Sequence, residues 1–177
     1  MALLPVEKIV TTIIGWLESE RPVFDTLVDV VHPGRRLTIF HGSRSQIPSN
    51  QVPAVEVAAL EDNLSWFGCR VQQEAPTLRI DVTVDNQDPE AADRLLSSLT
   101  SLTTRILAHP FRLLPQIEGT QTHLFDSLPT KARYGTAQNG RQRVATVLWT
   151  GKYLEYLSNH LFAPALRMRG PVVFPPA

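Results

Sequence analysis

The stretch Leu78-Arg-Ile-Asp-Val-Thr-Val84, followed after Asp85-Asn-Gln by Asp88-Pro-Glu-Ala-Ala-Asp93, decides the fold. In the first segment Leu78, Ile80, Val82 and Val84 alternate with Arg79, Asp81 and Thr83. That period of two predicts a strand with one buried face and one wet face. In the second, Asp88 is placed to cap a helix, Pro89 suits its first position, and Glu90 and Asp93 complement the positive end of the helix dipole. Leu95, Leu99, Leu102 and Ile106 then form an apolar stripe, widened by Leu96 and Leu107, up to a stop at His109-Pro110. A helix of about five turns lying flat on a sheet is expected. Its other face carries the hydroxyls of Ser97, Ser98, Ser101 and Thr104, suited equally to solvent and to another subunit.

Upstream, Val6, Ile9, Val10, Ile13, Ile14 and Leu17 recur at helical spacing over residues 5 to 20, with Glu7, Lys8, Thr11, Thr12 and Glu18 on the opposite side. The helix is expected to end before Pro22. Phe24 to Val31 suits a second short helix as well as a strand. His32-Pro33-Gly34 marks a turn, and Leu37 to Phe40 has strand composition. Gly42 to Pro53 (GSRSQIPSNQVP) is rich in turn formers and reads as a long loop, a class often functional or mobile. Ala54 to Leu60 reads as a strand with Val55 and Val57 on one face and Glu56 on the other. Trp66, Phe67 and Cys69 fall in a connecting strand or turn.

Downstream, strands are expected near 122–134 and 142–150, joined by a hairpin through Asn139-Gly140. The second of them places Val144, Thr146 and Leu148 against Ala145, Val147 and Trp149. Neither face is fully polar, which predicts cover on both sides, the second supplied by a neighbouring subunit. From Leu157 onward, prolines 164, 171, 175 and 176 exclude a long helix. The whole describes an α+β protein: one domain over residues 1–156 with a mostly antiparallel sheet and helices packed on one face, then a Pro-rich extension over 157–177.

The 177 residues carry 17 Lys and Arg against 17 Asp and Glu, a net charge of zero. That balance argues against a dedicated nucleic-acid binder and offers no charge repulsion to self-association. A single Cys excludes an internal disulfide framework and a multi-Cys zinc site. Met1-Ala-Leu-Leu-Pro5 runs into Glu7 and Lys8 without a basic start, so no classical export signal is expected, and no apolar stretch reaches the roughly 20 residues of a bilayer span.

No catalytic constellation stands out. Cys69 lies between Phe67-Gly68 and Arg70-Val71, outside any family-type cysteine signature. His32, His41, His109, His123 and His160 show no paired ligand spacing, so neither a metal site nor a cofactor is expected. His41-Gly42-Ser43-Arg44 is too poor in glycine for a phosphate loop. Asp81 and Asp85 read as solvated charges on the polar side of a strand. The basic pairs Arg35-Arg36, Arg141/Arg143 and Arg167/Arg169 suit a generic surface or ion pairs between subunits.

The order of these elements resembles the tail terminator proteins of long-tailed bacteriophages, also called tail completion or head-tail joining proteins. The residues that carry the resemblance are the N-terminal amphipathic helix, Pro53-Ala-Val-Glu-Val57, Leu78 to Val84, Asp88-Pro-Glu-Ala-Ala-Asp93 before the Leu-striped helix, and Arg143-Val-Ala-Thr-Val-Leu-Trp149 as a closing strand. It covers about residues 5 to 153 and rests on hydrophobic patterns rather than on single side chains. It implies a subunit that closes into a six-membered ring on the last ring of the tail tube, stops tube growth and meets a neck or connector protein. DNA would pass through the lumen without specific binding, and the protein would reside in the virion after assembly in the host cytoplasm. Another neck component, an adaptor or stopper, is a related alternative. A small α+β enzyme or ligand-binding domain using Cys69 is the alternative from a different class.

The loop 42–53 and the extension are expected to bind partners, loose in the free subunit and ordered on assembly, because both are short of bulky apolar residues that offset the cost of ordering a chain. Their isolated apolar residues Ile47, Val52, Phe162 and Phe174 are the expected anchors. Arg44, Arg167 and Arg169 are the expected ion-pair formers that set register.

Overall fold

The structure, a computed structural model, describes residues 6–42, 44, 47–66, 71–85, 87–108, 124–137 and 140–156. Helix α1 (Val6–Ser19) buries Ile9, Val10, Ile13 and Leu17 on one side, as its apolar spacing dictates. Helix α2 (Arg21–Val31) follows after one residue and takes Pro22 into its first turn, where the missing N–H costs nothing. The Arg21 guanidinium bridges the joint with two bonds to the Glu18 carboxylate, at 2.5 and 2.6 Å. Phe24 and Val28, one turn apart, are buried and settle the segment as helical.

Two carboxylates of α2 fix the exit. Asp29 Oδ1 accepts from the N–H of Gly34 at 2.7 Å, where φ is +78°, and Asp25 Oδ1 accepts from the N–H of Leu37 at 2.9 Å. A glycine adopts that left-handed conformation without strain. Strand β1 (Thr38–His41) then pairs in parallel with β2 (Ala54–Trp66). The remaining pairings, β2 with β3 (Val71–Asp85), β3 with β5 (Gln142–Tyr156) and β5 with β4 (Leu124–Thr136), are antiparallel, and the order across the sheet is β1-β2-β3-β5-β4. The β4–β5 hairpin turns through Gly140, at φ +67°, with the N–H of Ala137 donating to Gln142 O at 2.8 Å.

Helix α3 (Pro89–Leu107) starts at Asp88, whose carboxylate accepts from the N–H groups of Glu90 and Ala91 at 3.1 and 3.3 Å. Its buried residues include Leu95, Leu96, Leu99, Ile106 and Leu107, while Leu102 is partly covered. All three helices contribute to one core on one face of the sheet. There the register sets Val55, Val82 and Ala145 side by side, then Val57, Ile80 and Val147, then Leu78 and Trp149. α1 lies over β1 and β2, and α3 over β3 and β5. The chain is therefore an α+β protein with a mostly antiparallel sheet and helices on one face.

The strands are longer than their alternation suggests. β3 and β5 have 15 residues each, about 50 Å at roughly 3.3 Å per residue, whereas the 19 residues of α3 reach about 28 Å at 1.5 Å each. The helix layer thus covers only part of the sheet's length. The boundary is a line of irregularities across four strands: an extra residue, Leu60, in β2, an extra residue, Thr130, in β4, and between them Pro76 and Gly151. β3–β5 pairing is interrupted between Glu74↔Tyr153 and Thr77↔Thr150 at that level. Bulges bend a strand and proline removes a ladder donor, so the sheet turns there.

Candidate functional site

The second face of the sheet bears no helix of the described chain, and the segment after β1 runs across one end of it. Ile47 and Val52 are 6 % and 2 % exposed and form a small cluster with Ala54 and Phe40. The segment is also tied by polar contacts. Gln142, at the start of β5, donates its side-chain N–H to Ile47 O at 2.8 Å. Arg35 Nη1 donates to Val52 O at 3.1 Å and Ser49 O at 3.4 Å. The N–H of Arg44 donates to Glu56 Oε1 at 2.8 Å. A short 3-10 turn (Ser49–Gln51) shapes the crossing.

This corrects the expectation for Ile47 and Val52. They are not free anchors for a partner but the apolar plug of an internal strap, since four neighbouring elements supply the partners that offset the cost of ordering the segment. The Arg44 side chain is exposed, and its guanidinium stands 4.1 Å from the centre of the Phe40 ring. Phe162, Arg167, Arg169 and Phe174, with the whole extension and Cys69, lie outside the described residues.

Beside the strap, Glu56, Asp81 and Thr146 stand in one row across β2, β3 and β5. Asp81 is not a solvated charge, as its sequence position suggests. Its Oδ1 accepts from Thr146 Oγ1 at 2.6 Å, and its Oδ2 meets Arg79 Nε at 2.9 Å. Glu56 is 5 % exposed. Burial pushes its carboxyl above the usual glutamate range. The Arg44 N–H opposes the shift, the Asp81 charge adds to it, and the charges of Arg79 and Arg44 oppose it. The sequence signal for this site is weak but present: Ala54 and Ala58 flank Glu56 on its own face of β2, so that face is not simply polar. Farther along, Val144, Thr146 and Leu148 are half-buried, while Ala145, Val147 and Trp149 are fully buried on the helix side.

Apolar surface is concentrated elsewhere. Val23 and Val30 on α2, Leu60 in β2 and Tyr134 on β4 are the large hydrophobic side chains exposed among the described residues. A groove of about 410 Å³ runs between α2 and α3 beside Val30. Among the described residues no group of three or more His, Cys, Asp or Glu is placed to hold a metal ion, and no helix is long and apolar enough to cross a membrane.

No protein-family model matches the chain, and no curated protein does. Among solved structures, the chain is similar to a chain of a virion of a native gene transfer agent particle, with a TM-score of 0.48 and 9% identity over 81% of this chain and 92% of that one. It is also similar to a second solved chain, with a TM-score of 0.42 and 12% identity over 84% of this chain and 97% of that one.

Proposed function

We propose that this chain is a structural subunit of a bacteriophage-type virion, a tail terminator that closes into a six-membered ring on the end of the tail tube and joins it to the neck or connector. The observation that supports this most is the agreement between the segments of the sequence resemblance and the folded elements. Pro53 to Val57 opens β2, Leu78 to Val84 lies in β3, Asp88 caps α3, and Arg143 to Trp149 lies in β5. Those three strands are adjacent in the sheet, with α3 across β3 and β5.

In this reading the partners are further copies of the chain, the tail tube protein and the neck or connector protein. Viral DNA passes through the lumen, and the neutral overall charge suits passage rather than capture. The role is structural, and Cys69 has no catalytic part in it. Particles made without the chain should show tubes of uncontrolled length that fail to join heads. Tubes of normal length, joined to heads, overturn the proposal. Cys69→Ala should leave assembly intact with a stability loss of roughly 1 kcal/mol. A variant of unchanged stability that abolishes assembly restores the enzyme alternative.

A further inference from the structure

Val23, Leu27 and Val30 follow one another at i, i+4 and i+7 and form one stripe along α2, with Val23 46% and Val30 79% exposed. Leu27, Val30 and Val31 are one wall of the α2–α3 groove, and Ala91, Leu95 and Ser98 are the other. Arg94, ion-paired with Glu90, stands on its rim. A Tyr side chain offers an apolar ring for such walls and a hydroxyl for such a rim. Tyr134, on the edge strand β4, is 62% exposed.

The groove and Tyr134 lie on opposite flanks of α3. Ala91, Arg94, Leu95 and Ser98 line the groove from one side of the helix. Asp93, about 150° around the helix axis from the centre of that side at roughly 100° per residue, pairs with Arg143 of β5. Arg143 stands opposite Thr136 in β4, two residues from Tyr134. Two different patches that look away from each other on one subunit are what a head-to-tail ring contact requires.

Charge points to the same pairing. Residues 130–143 hold Lys131, Arg133, Arg141 and Arg143 and no carboxylate. α1, α2 and the Glu20 that joins them hold five carboxylates, Glu7, Glu18, Glu20, Asp25 and Asp29, against Lys8 and Arg21. Complementary patches on one neutral chain steer copies together in a single orientation.

We infer that the occupant of the α2–α3 groove is a second copy of this chain, which inserts Tyr134 and sets its basic β4–β5 turn against the acidic α1–α2 layer. The inference rests on the ring reading above and assigns the contact that closes the ring. The test uses the full chain in two single variants, Tyr134→Ala and Val30→Glu, both at exposed positions, with folding checked by circular dichroism melts. Each should weaken self-association by about tenfold or more, the effect of losing an interface anchor. Because Tyr134→Ala retains the groove and Val30→Glu retains the tyrosine, an equimolar mixture should form a 1:1 dimer and stop there. Sedimentation velocity over a concentration series reads both results.

Variants that form rings as the wild type does overturn the groove contact and leave the ring standing. Folded variants that remain apart on mixing overturn the head-to-tail pairing. A wild-type chain that stays monomeric at every concentration also overturns the inference, and images of the particle then decide separately whether a ring exists.

Discussion

Replacing Gly151 by alanine tests the packing that ends the helix-covered half of the sheet. A Cβ at that position would stand 2.3 Å from Cη2 of Trp149, 2.9 Å from Cζ3 and 3.0 Å from Cζ2. Ordinary carbon contacts lie at about 3.5–4.0 Å, so the indole must retreat by more than 1 Å. It has little room, because Trp149 is 0% exposed and meets Trp16 edge to face at 6.5 Å between ring centres. Without the clash, the exchange would stabilise a strand by roughly 0.5–1 kcal/mol. With it, the expected outcome is a net loss of about 1–3 kcal/mol, the usual effect of overpacking a core. Urea denaturation followed by circular dichroism measures it. Trp149→Phe removes the three ring atoms concerned, together with a buried Nε1 donor that has no acceptor among the described residues. In that background Gly151→Ala should cost at least 1 kcal/mol less, a coupling that a double-mutant cycle isolates. A Gly151→Ala protein as stable as wild type, or a coupling near zero, refutes the reasoning.

The other predictions concern the strap and the helix cap. The raised pKa of Glu56 means that the native state holds this proton more tightly than the unfolded chain. Its contribution is then fully present below the unfolded value of about 4.3 and is lost as pH rises through the folded value. Glu56→Gln keeps an acceptor oxygen for the Arg44 N–H and should remove that dependence, so denaturation midpoints over about pH 4 to 8 should decline less in the variant; identical profiles count against the buried-carboxylate account. Gln142→Ala removes the side-chain donor to Ile47 O and should destabilise by about 1–3 kcal/mol, with faster hydrogen exchange at residues 47–52 than in wild type. Unchanged exchange there means that the strap does not depend on this bond. Asp88→Ala should cost about 0.5–2 kcal/mol in thermal melts, with Asp88→Asn recovering most of it.

α3 and β3 were readable because their signals are local: a stripe with a period of 3.6 behind an Asp-Pro cap, and an unbroken alternation. The β4–β5 turn was readable because Asn139-Gly140 suits the conformation that Gly140 adopts. α2 was ambiguous because its valines favour strands while Phe24 and Val28 have helical spacing, and the burial of both decided it. The strap was misread for a different reason. Ile47 and Val52 sit among turn formers, and what orders them is distant in sequence, with Gln142 95 residues from Ile47. Asp81 reads as solvated, and Glu56 lies on the same face without a visible partner, because the second face is expected to be wet. Their partners come from Arg44, Arg79 and Thr146, on three separate stretches of chain. The line of irregularities through Leu60, Pro76, Gly151 and Thr130 interrupts alternation, which is why β2, β3 and β5 exceed the lengths that alternation alone suggests.

The central claim is that this chain forms a ring at the end of a tail tube, and electron cryomicroscopy of the complete particle tests it most directly. The account predicts one six-membered ring of this α+β subunit between the last tube ring and the neck, with the sheet and α3 fitting the density of each protomer. A particle whose tube meets its connector with no density for this subunit, or with the subunit located only in the capsid shell, contradicts it.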